Sequence, residues 1–377
     1  MKQHVMALAA LIAVVHFQQH AHAQSSVTLY GTLDAGIAYL HNSGGQASQW
    51  RVSTSNLSPN TWGIKGNEDL GGGMRAVFQL ENGFDTGTGQ ALQNGRLFGR
   101  TAMVGLSSAT WGTLTFGRQF DPVTDFVQPI TADQFSGTFA TPGDIDNYDD
   151  SAWFNNAVKW TSPSLSGLSA SLMYAFGGVA GSVGSGQTWS AALGYAQGPL
   201  NLAAGYLHVD NGNPSSSARG ASSADSFFNS AVNRAFETAR SIDIARAAAQ
   251  YAFGAVTVGT AYSHVSYAPD AASTFSGSQR FDNGSVFASW MATQSFQVVG
   301  GYNYTRSNGN ATARYHQVNA GVDYLLSKRT DLYATVGYQH ASGNNGAGPA
   351  QAVIGSYDVD SGAASQVLAI VGMRHKF

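Results

Sequence analysis

The feature that most constrains this chain is a two-residue alternation that recurs from one end to the other. Along Val27–Tyr39 the odd positions read Val27, Leu29, Gly31, Leu33, Ala35, Ile37 and Tyr39. The even positions read Thr28, Tyr30, Thr32, Asp34, Gly36 and Ala38. In an extended chain successive side chains point to opposite faces, so one face is apolar and ends in tyrosine while the other is small and polar. The split returns at Leu168–Phe176, Leu200–Tyr206, Val256–Tyr262, Phe296–Tyr304, Val318–Tyr324, Leu332–Tyr338 and Val367–Met373. A helix needs a period near 3.6, so the pattern predicts an all-β chain.

Three details favour a closed transmembrane antiparallel barrel over a soluble sandwich. The faces opposite the apolar rows carry Ser, Thr, Asn, Gln, Asp and Arg, as a wet interior requires. The apolar rows end in Tyr, Phe or Trp, like the aromatic girdles of membrane barrels. Connections also alternate in length. Short ones fall at Glu68–Gly73, Ser107–Gly112, Ser162–Gly167, Gln197–Pro199 and Leu326–Thr330. Long ones are expected at His41–Pro59, Asp121–Trp153, Gly177–Gln187, Asp210–Arg240, Tyr267–Phe281 and Ala341–Ala363, with a short helix possible within Ser226–Arg240. Short turns at one rim and long loops at the other describe outer-membrane barrels.

The N-terminus fits an exported chain. Lys2, an apolar stretch over Val5–Phe17 and Ala21-His22-Ala23 read as a secretory signal peptide with its cleavage site, Met1–Ala23. Removing 23 of 377 residues leaves 354, a single barrel domain over 24–377 with no internal boundary. No stretch reaches the 18 or so apolar residues of a spanning helix, but strands of a closed barrel can cross a membrane. A net charge of −3 and the lack of a basic stripe argue against nucleic acid as a partner. The absence of cysteine excludes a disulfide framework and thiolate metal sites, and no acidic spacing resembles a calcium loop. No cofactor or metal is expected.

Specific motifs sharpen the reading. They are Ser25–Gly31 at the expected mature start, Trp62-Gly63-Ile64-Lys65-Gly66-Asn67-Glu68-Asp69-Leu70-Gly71-Gly72-Gly73, Phe98-Gly99-Arg100, Gly117-Arg118-Gln119-Phe120-Asp121-Pro122, Lys159-Trp160-Thr161-Ser162-Pro163, Leu326–Tyr333 and Gly372-Met373-Arg374-His375-Lys376-Phe377. Together they span the mature chain, which resembles the general porins of Gram-negative bacteria, in particular the β-proteobacterial branch. The resemblance implies a 16-stranded outer-membrane barrel, a homotrimer in outer-membrane lipid, and a third long loop folded into the pore. It also implies passive diffusion of ions and small hydrophilic solutes. The terminal Phe377 matches the family's C-terminus, which implies a signal read by the outer-membrane barrel assembly machinery.

A diffusion pore needs a narrow, wet constriction whose charges set which ions pass. The expected third loop, Asp121–Trp153, holds seven aspartates and no Lys or Arg. Asp121, Asp125, Asp144, Asp146, Asp149 and Asp150 are its candidate pore residues, with Trp153 at its end. Strand parity turns Lys65, Arg75, Gln79, Glu81 and Lys159 inward. Arg100 is ambiguous by parity and points inward by the resemblance, and Arg118 precedes the loop closely enough to meet its aspartates. Two positions depart from the family pattern: Thr61 and Trp153 stand where the resemblance leads one to expect arginine. An acidic loop facing a depleted basic wall predicts a weakly selective or cation-preferring pore, against the anion preference of the branch.

Other functions fit the sequence less well. A barrel hydrolase needs a clustered nucleophile and His, but the histidines at 41, 208, 264, 316, 340 and 375 are dispersed in sequence. A substrate-specific channel would carry an aromatic slide inside, whereas most aromatics here have outward parity. An adhesin would rest on the long loops.

Overall fold

The computed structural model describes residues 26–212 and 222–377; the expected signal peptide, Met1–Ala23, lies outside them. Its strands are β1 (Ser26–Ser43), β2 (Gln46–Thr54), β3 (Thr61–Gly71), β4 (Met74–Gly83), β5 (Thr101–Ser108), β6 (Gly112–Gln119), β7 (Phe154–Thr161), β8 (Leu168–Ala175) and β9 (Thr188–Gln197). They continue as β10 (Leu200–Asp210), β11 (Ser241–Phe253), β12 (Val256–Ala268), β13 (Gln279–Met291), β14 (Phe296–Asn308), β15 (Ala313–Leu325), β16 (Thr330–Gly343) and β17 (Ser365–Lys376). From β3 to β17 each strand pairs antiparallel with the next, and β17 returns to β1 in the register Ile37↔Val371. The sheet therefore closes and leaves no edge.

Seventeen segments fill sixteen wall positions. β2 pairs with the upper half of β1 (Ala35↔Thr54 to Ser43↔Gln46) and β3 with its lower half (Ser26↔Asn67 to Thr32↔Thr61). Both lie on the same side of β1, so they are one wall strand interrupted at 55–60. The 16-stranded barrel expected from the sequence is what forms.

The alternation sets the faces as expected. Val27, Leu29, Ile37, Leu172, Tyr262, Val318, Tyr338 and Val371 are exposed on the outside, while Asn303, Thr305, Gln317, Asn319 and Gln339 are buried on the inside. Outward aromatics form two belts: Tyr39, Tyr206, Tyr262, Tyr302 and Tyr338 toward the long-loop rim, and Tyr251, Phe253, Trp290 and Tyr324 toward the short-turn rim.

Three expectations need correction. His41–Pro59 is not a long loop, because β1 turns over Gly44 and Gly45 straight into β2. Both glycines have positive φ, at 59° and 78°, the left-handed conformation that a tight hairpin demands and other residues resist. The interior is also less uniformly polar than the strand faces suggest. Near the long-loop rim, Leu207, Val209, Ile242, Ile244, Val265, Tyr267, Phe281 and Tyr315 point inward. They form an apolar core with Phe227, Phe228, Val232 and Phe236 of one incoming loop and Ala350, Ala352 and Val353 of another. The helix sought within Ser226–Arg240 is only a three-residue 3-10 turn, Arg234–Phe236.

The break between β2 and β3 is held by one carboxylate. Asp34, fully buried on β1, accepts from the backbone N–H groups of Leu57 at 2.6 Å and Ser58 at 2.9 Å, and from the Tyr333 hydroxyl. The Asn60 side-chain amide donates to the Asp34 carbonyl at 3.0 Å. These bonds turn 55–60 into the barrel, where Leu57 packs with Leu40, Tyr333, Ile354 and Leu368. Asp34→Ala is expected to leave two N–H groups and a hydroxyl without their acceptor. At about 1–3 kcal/mol for each buried unsatisfied group, the barrel should unfold at a clearly lower temperature in an SDS gel-shift series.

Candidate functional site

The third loop, 120–153, enters the barrel rather than leaving it. Asp121 starts a helical turn, Pro122–Val127, by accepting from Val123 N–H at 2.7 Å and Thr124 N–H at 3.3 Å. Pro122 is suited to the first helical position, where no N–H is needed. The turn lies against β9 and β10. Further along, the wall holds the loop by its carbonyls. Asn303 Nδ2 donates to Phe139 O at 2.6 Å and Ala140 O at 3.0 Å. Gln317 Nε2 donates to Thr138 O at 2.8 Å and Ala140 O at 3.1 Å. At Gly321 the wall is stripped to backbone: a Cβ there would come within 2.2 Å of Phe135 Cε1.

The aspartates divide by environment. Asp121, Asp144 and Asp146 are buried and bonded within the loop, and Asp121 and Asp146 to the wall as well. Besides its cap, Asp121 receives the Ser190 hydroxyl at 3.3 Å. Asp144 accepts from Asp149 N–H at 2.8 Å and Ser151 N–H at 3.2 Å. Asp146 accepts from Thr141 at 2.6 Å and from Ser263 of the wall. Asp125 is more open and meets Lys159 Nζ at 2.6 Å. Asp149 and Asp150 face a cavity of about 300 Å3 together with Arg51, Asp85, Arg100 and Tyr357.

Arg100 is the centre of this cavity's chemistry. It precedes β5 rather than lying on it. Its Nε donates to Glu81 Oε1 at 2.8 Å and its Nη2 to Asp150 Oδ2 at 3.0 Å, so it ties wall to loop. Its guanidinium lies 5.2 Å from the Trp153 ring and 5.3 Å from the Phe120 ring. Trp153 also sits 5.9 Å from the Arg118 guanidinium, so the indole stands between two arginines. Such cation–π contacts orient both cations.

The other basic residues are spread along the wall. Arg118 does not reach the third loop's aspartates. It pairs instead with Asp225 of the 211–240 loop, which Arg96 also meets at 3.4 Å, and donates to Gly99 O at 2.7 Å and Asn155 Oδ1 at 2.7 Å. Lys159 donates to Phe120 O at 2.9 Å as well as to Asp125. Lys65 lies inside the lower barrel, 5.0 Å from the Tyr30 ring, whose hydroxyl bonds Glu81 at 2.8 Å. Arg75 stands beside the β3–β4 turn, in register with Asp69 and remote from the cavity. Phe377 closes the wall, exchanging backbone bonds of 3.0 and 3.2 Å with Gly31.

Burial shifts the loop carboxyls. It raises Asp150 to about 6 against the opposing pull of Arg100, and raises Asp144 to about 6 with help from Asp146. Asp149 is pushed well above the ordinary range by burial and by the charge of Asp150. The negative charges of Asp150 and Asp144 are therefore present above about pH 6 and lost as pH falls through it, while Asp149 is displaced further toward its neutral form.

Arg51 and Asp225 were not singled out from the sequence. Arg51 escaped because its segment read as a loop; once β2 is recognised, Trp50 and Val52 are outward and Arg51 is inward. Asp225 has no local signal, since its partners lie more than a hundred residues away. Among the described residues no cluster of three or more His, Asp or Glu could hold a metal ion.

A family model described as Gram-negative porin matches residues 7–344. An outer membrane porin protein of Bordetella pertussis is 30% identical over 383 residues, covering 90% of this chain and 94% of that protein. Outer membrane porin protein 32 of Delftia acidovorans is 34% identical over 222 residues, 54% of this chain and 59% of that one. Among solved structures, an anion-selective porin from Comamonas acidovorans superposes with a TM-score of 0.73 at 22% identity, covering 94% of this chain and 100% of its own. The trimer form of OmpT from Vibrio cholerae gives 0.64 at 16% identity, with 94% and 99% covered.

The wall amides make a testable claim about the loop. Asn303→Ala with Gln317→Ala is expected to free the carbonyls of 138–140 and the Gly355 N–H that Gln317 Oε1 receives at 3.1 Å. Loss of about 1.4 kcal/mol of local restraint corresponds to roughly tenfold faster amide exchange across 137–143 and 355–356, read by mass spectrometry.

Proposed function

The chain belongs to the Gram-negative porin family, and on that premise we propose that its conducting path is narrowed between the Arg51–Arg100 wall and the Asp149–Asp150 end of the third loop, and that the path prefers cations. The protein is an outer-membrane channel for passive diffusion of ions and small hydrophilic solutes, and not an enzyme.

One observation supports the constriction: Arg100 is held in contact with Glu81 of the wall and Asp150 of the loop, so basic wall and acidic loop meet beside the cavity that Arg51 also lines. A transverse field of this kind acts on every ion that passes, and its net sign sets preference. Two cations, Arg51 and Arg100, meet three carboxylates, Glu81, Asp85 and Asp150, with Asp149 beside them pushed toward its neutral form by burial and by Asp150. Thr61 and Trp153 add no charge where the family resemblance implies arginine. Of the other residues considered for the path, Lys65 and Arg75 belong below the constriction, Asp125 and Lys159 neutralise one another, and Arg118 is neutralised by Asp225. Asp121, Asp144 and Asp146 shape the loop.

Further parts of the reading follow from the family. Met1–Ala23 serves as a signal peptide, the mature barrel assembles as a homotrimer in outer-membrane lipid, and Phe377 is read by the barrel assembly machinery. The trimer form of a structurally similar outer membrane protein supports the second point.

Reversal potentials in planar bilayers under a KCl gradient test the selectivity. Potassium is expected over chloride by roughly threefold at pH 7.5, and a clear chloride preference would overturn the reading. The preference should decline as pH falls through about 6, where Asp150 gains its proton, and Asp150→Asn should flatten that decline. A titration confined to pH 4 would place the filter elsewhere. Liposome swelling with neutral sugars should slow smoothly with solute size; strong discrimination among sugars of equal size would favour a substrate-specific channel.

A further inference from the structure

Five of the six histidines dispersed in the sequence beyond residue 23 stand at one height on the outside of the wall. Tyr39 and His41, Tyr206 and His208, Tyr262 and His264, and Tyr338 and His340 each occupy successive outward positions on β1, β10, β12 and β16. His316 on β15 is in register with Tyr304 on one side and His340 on the other. Five imidazoles thus stand one step beyond the upper aromatic belt, at the height where hydrocarbon gives way to lipid headgroups.

Along β10–β13 this row is internally satisfied. His208 Nδ1 meets Asp243 at 2.7 Å, and His264 Nδ1 meets Asp282 at 2.8 Å. Along β14–β16 it is not. Arg306 on β14 lies directly opposite Arg314 on β15. Both are exposed, and neither is in an ion pair among the described residues. The one acid in register with Arg306 is Asp282, which feels the Arg306 charge but is bonded to Tyr262 Oη at 2.8 Å and to His264 instead. Like charges directly opposite on neighbouring strands repel. The repulsion becomes attraction when an anion sits between them.

The surroundings indicate what kind of anion. Arg306 and Arg314 line a cavity of about 370 Å3 with Asn308, Thr312 and Ser342, which supply polar groups around the two guanidinium forks. Guanidinium matches phosphate in two-pronged geometry. Below the arginines, toward the middle of the wall, the same outward face continues through Tyr302, Val318 and Val336, all exposed and apolar in body. A ligand that suits both halves has a phosphate at one end and acyl chains at the other. We propose that Arg306 and Arg314 form a binding site for the phosphorylated headgroup of an outer-leaflet lipid, with its chains lying on the Val318–Val336 face.

Native mass spectrometry of the full mature protein in detergent tests this, with bisphosphorylated lipid A as probe. The wild type should bind it at least tenfold more tightly than the dephosphorylated lipid; equal binding overturns the proposal. Arg306→Gln with Arg314→Gln should weaken binding of the bisphosphorylated form at least tenfold. Lys328→Gln with Arg329→Gln, which removes the same charge from the opposite rim, should not. Equal losses in the two double variants would reduce the effect to general charge and overturn the site. Inorganic phosphate at the lipid's concentration should fail to compete; full displacement would mean a site for free phosphate and would overturn the lipid assignment. The first comparison uses wild-type protein alone, so the proposal can fail even where a variant does not fold.

Discussion

The constraint on which everything else depends is the pairing of backbone N–H and C=O groups around a closed ring. Hydrocarbon offers no water to an unpaired peptide group, so a β wall in a bilayer must have no edge. Here the ring is closed by β17 against β1, and the bonds between Phe377 and Gly31 carry that pairing to the last residue. Closure fixes the register of every strand. Register then fixes the face of every side chain, because a slip of one residue would turn the apolar row inward.

With the wall settled, the remaining problem is the interior. A sixteen-position barrel encloses more space than its own inward side chains fill. This chain fills part of it with its loops, and the means differ with height. Near the long-loop rim the contact is apolar: Ile244, Val265, Phe281 and Tyr315 face Phe227, Phe236 and Val353. Deeper, where the third loop crosses, polar contacts join apolar ones such as Phe139 on Val299. Asn303 and Gln317 take up loop carbonyls that would otherwise lie unpaired. Neutral amides are well suited to this, since they bind the loop without adding charge to the path and leave the field to Arg51, Arg100 and the loop carboxylates.

How much could be read from sequence follows from the same physics. The alternation reports the wall faithfully because a lipid-exposed face tolerates few polar residues, and so Lys65, Glu81 and Lys159 were assigned to the interior. It failed at β2, where the Asp34-anchored elbow interrupts the strand after nine residues and hides Arg51 in an apparent loop. It could not sort the seven aspartates either. Periodicity says nothing about irregular backbone, and whether an aspartate caps a turn, as Asp121 does, or pairs with a wall cation, as Asp150 does with Arg100, depends on partners elsewhere in the chain. Arg118 shows the limit most clearly. Its neighbour in sequence is an acidic loop, yet its carboxylate comes from Asp225.

Trp153 shows how one substitution can alter a charged constriction without adding or removing charge. As a pore-lining residue it would narrow the path. Its position between Arg100 and Arg118 gives it a different effect. Two guanidinium groups on one side of a channel repel, and each is drawn instead toward the indole face and toward its own carboxylate: Glu81 and Asp150 for Arg100, Asp225 for Arg118. A third arginine in place of Trp153 would compete for those same carboxylates and make the wall positive. With tryptophan there, both arginines are pinned in neutralised pairs. The field left for a passing ion is then set by the cavity-lining charges that stand outside those ion pairs, Asp85 and Arg51. The selectivity of this pore is therefore decided less by how many cations line its wall than by how completely each is already paired.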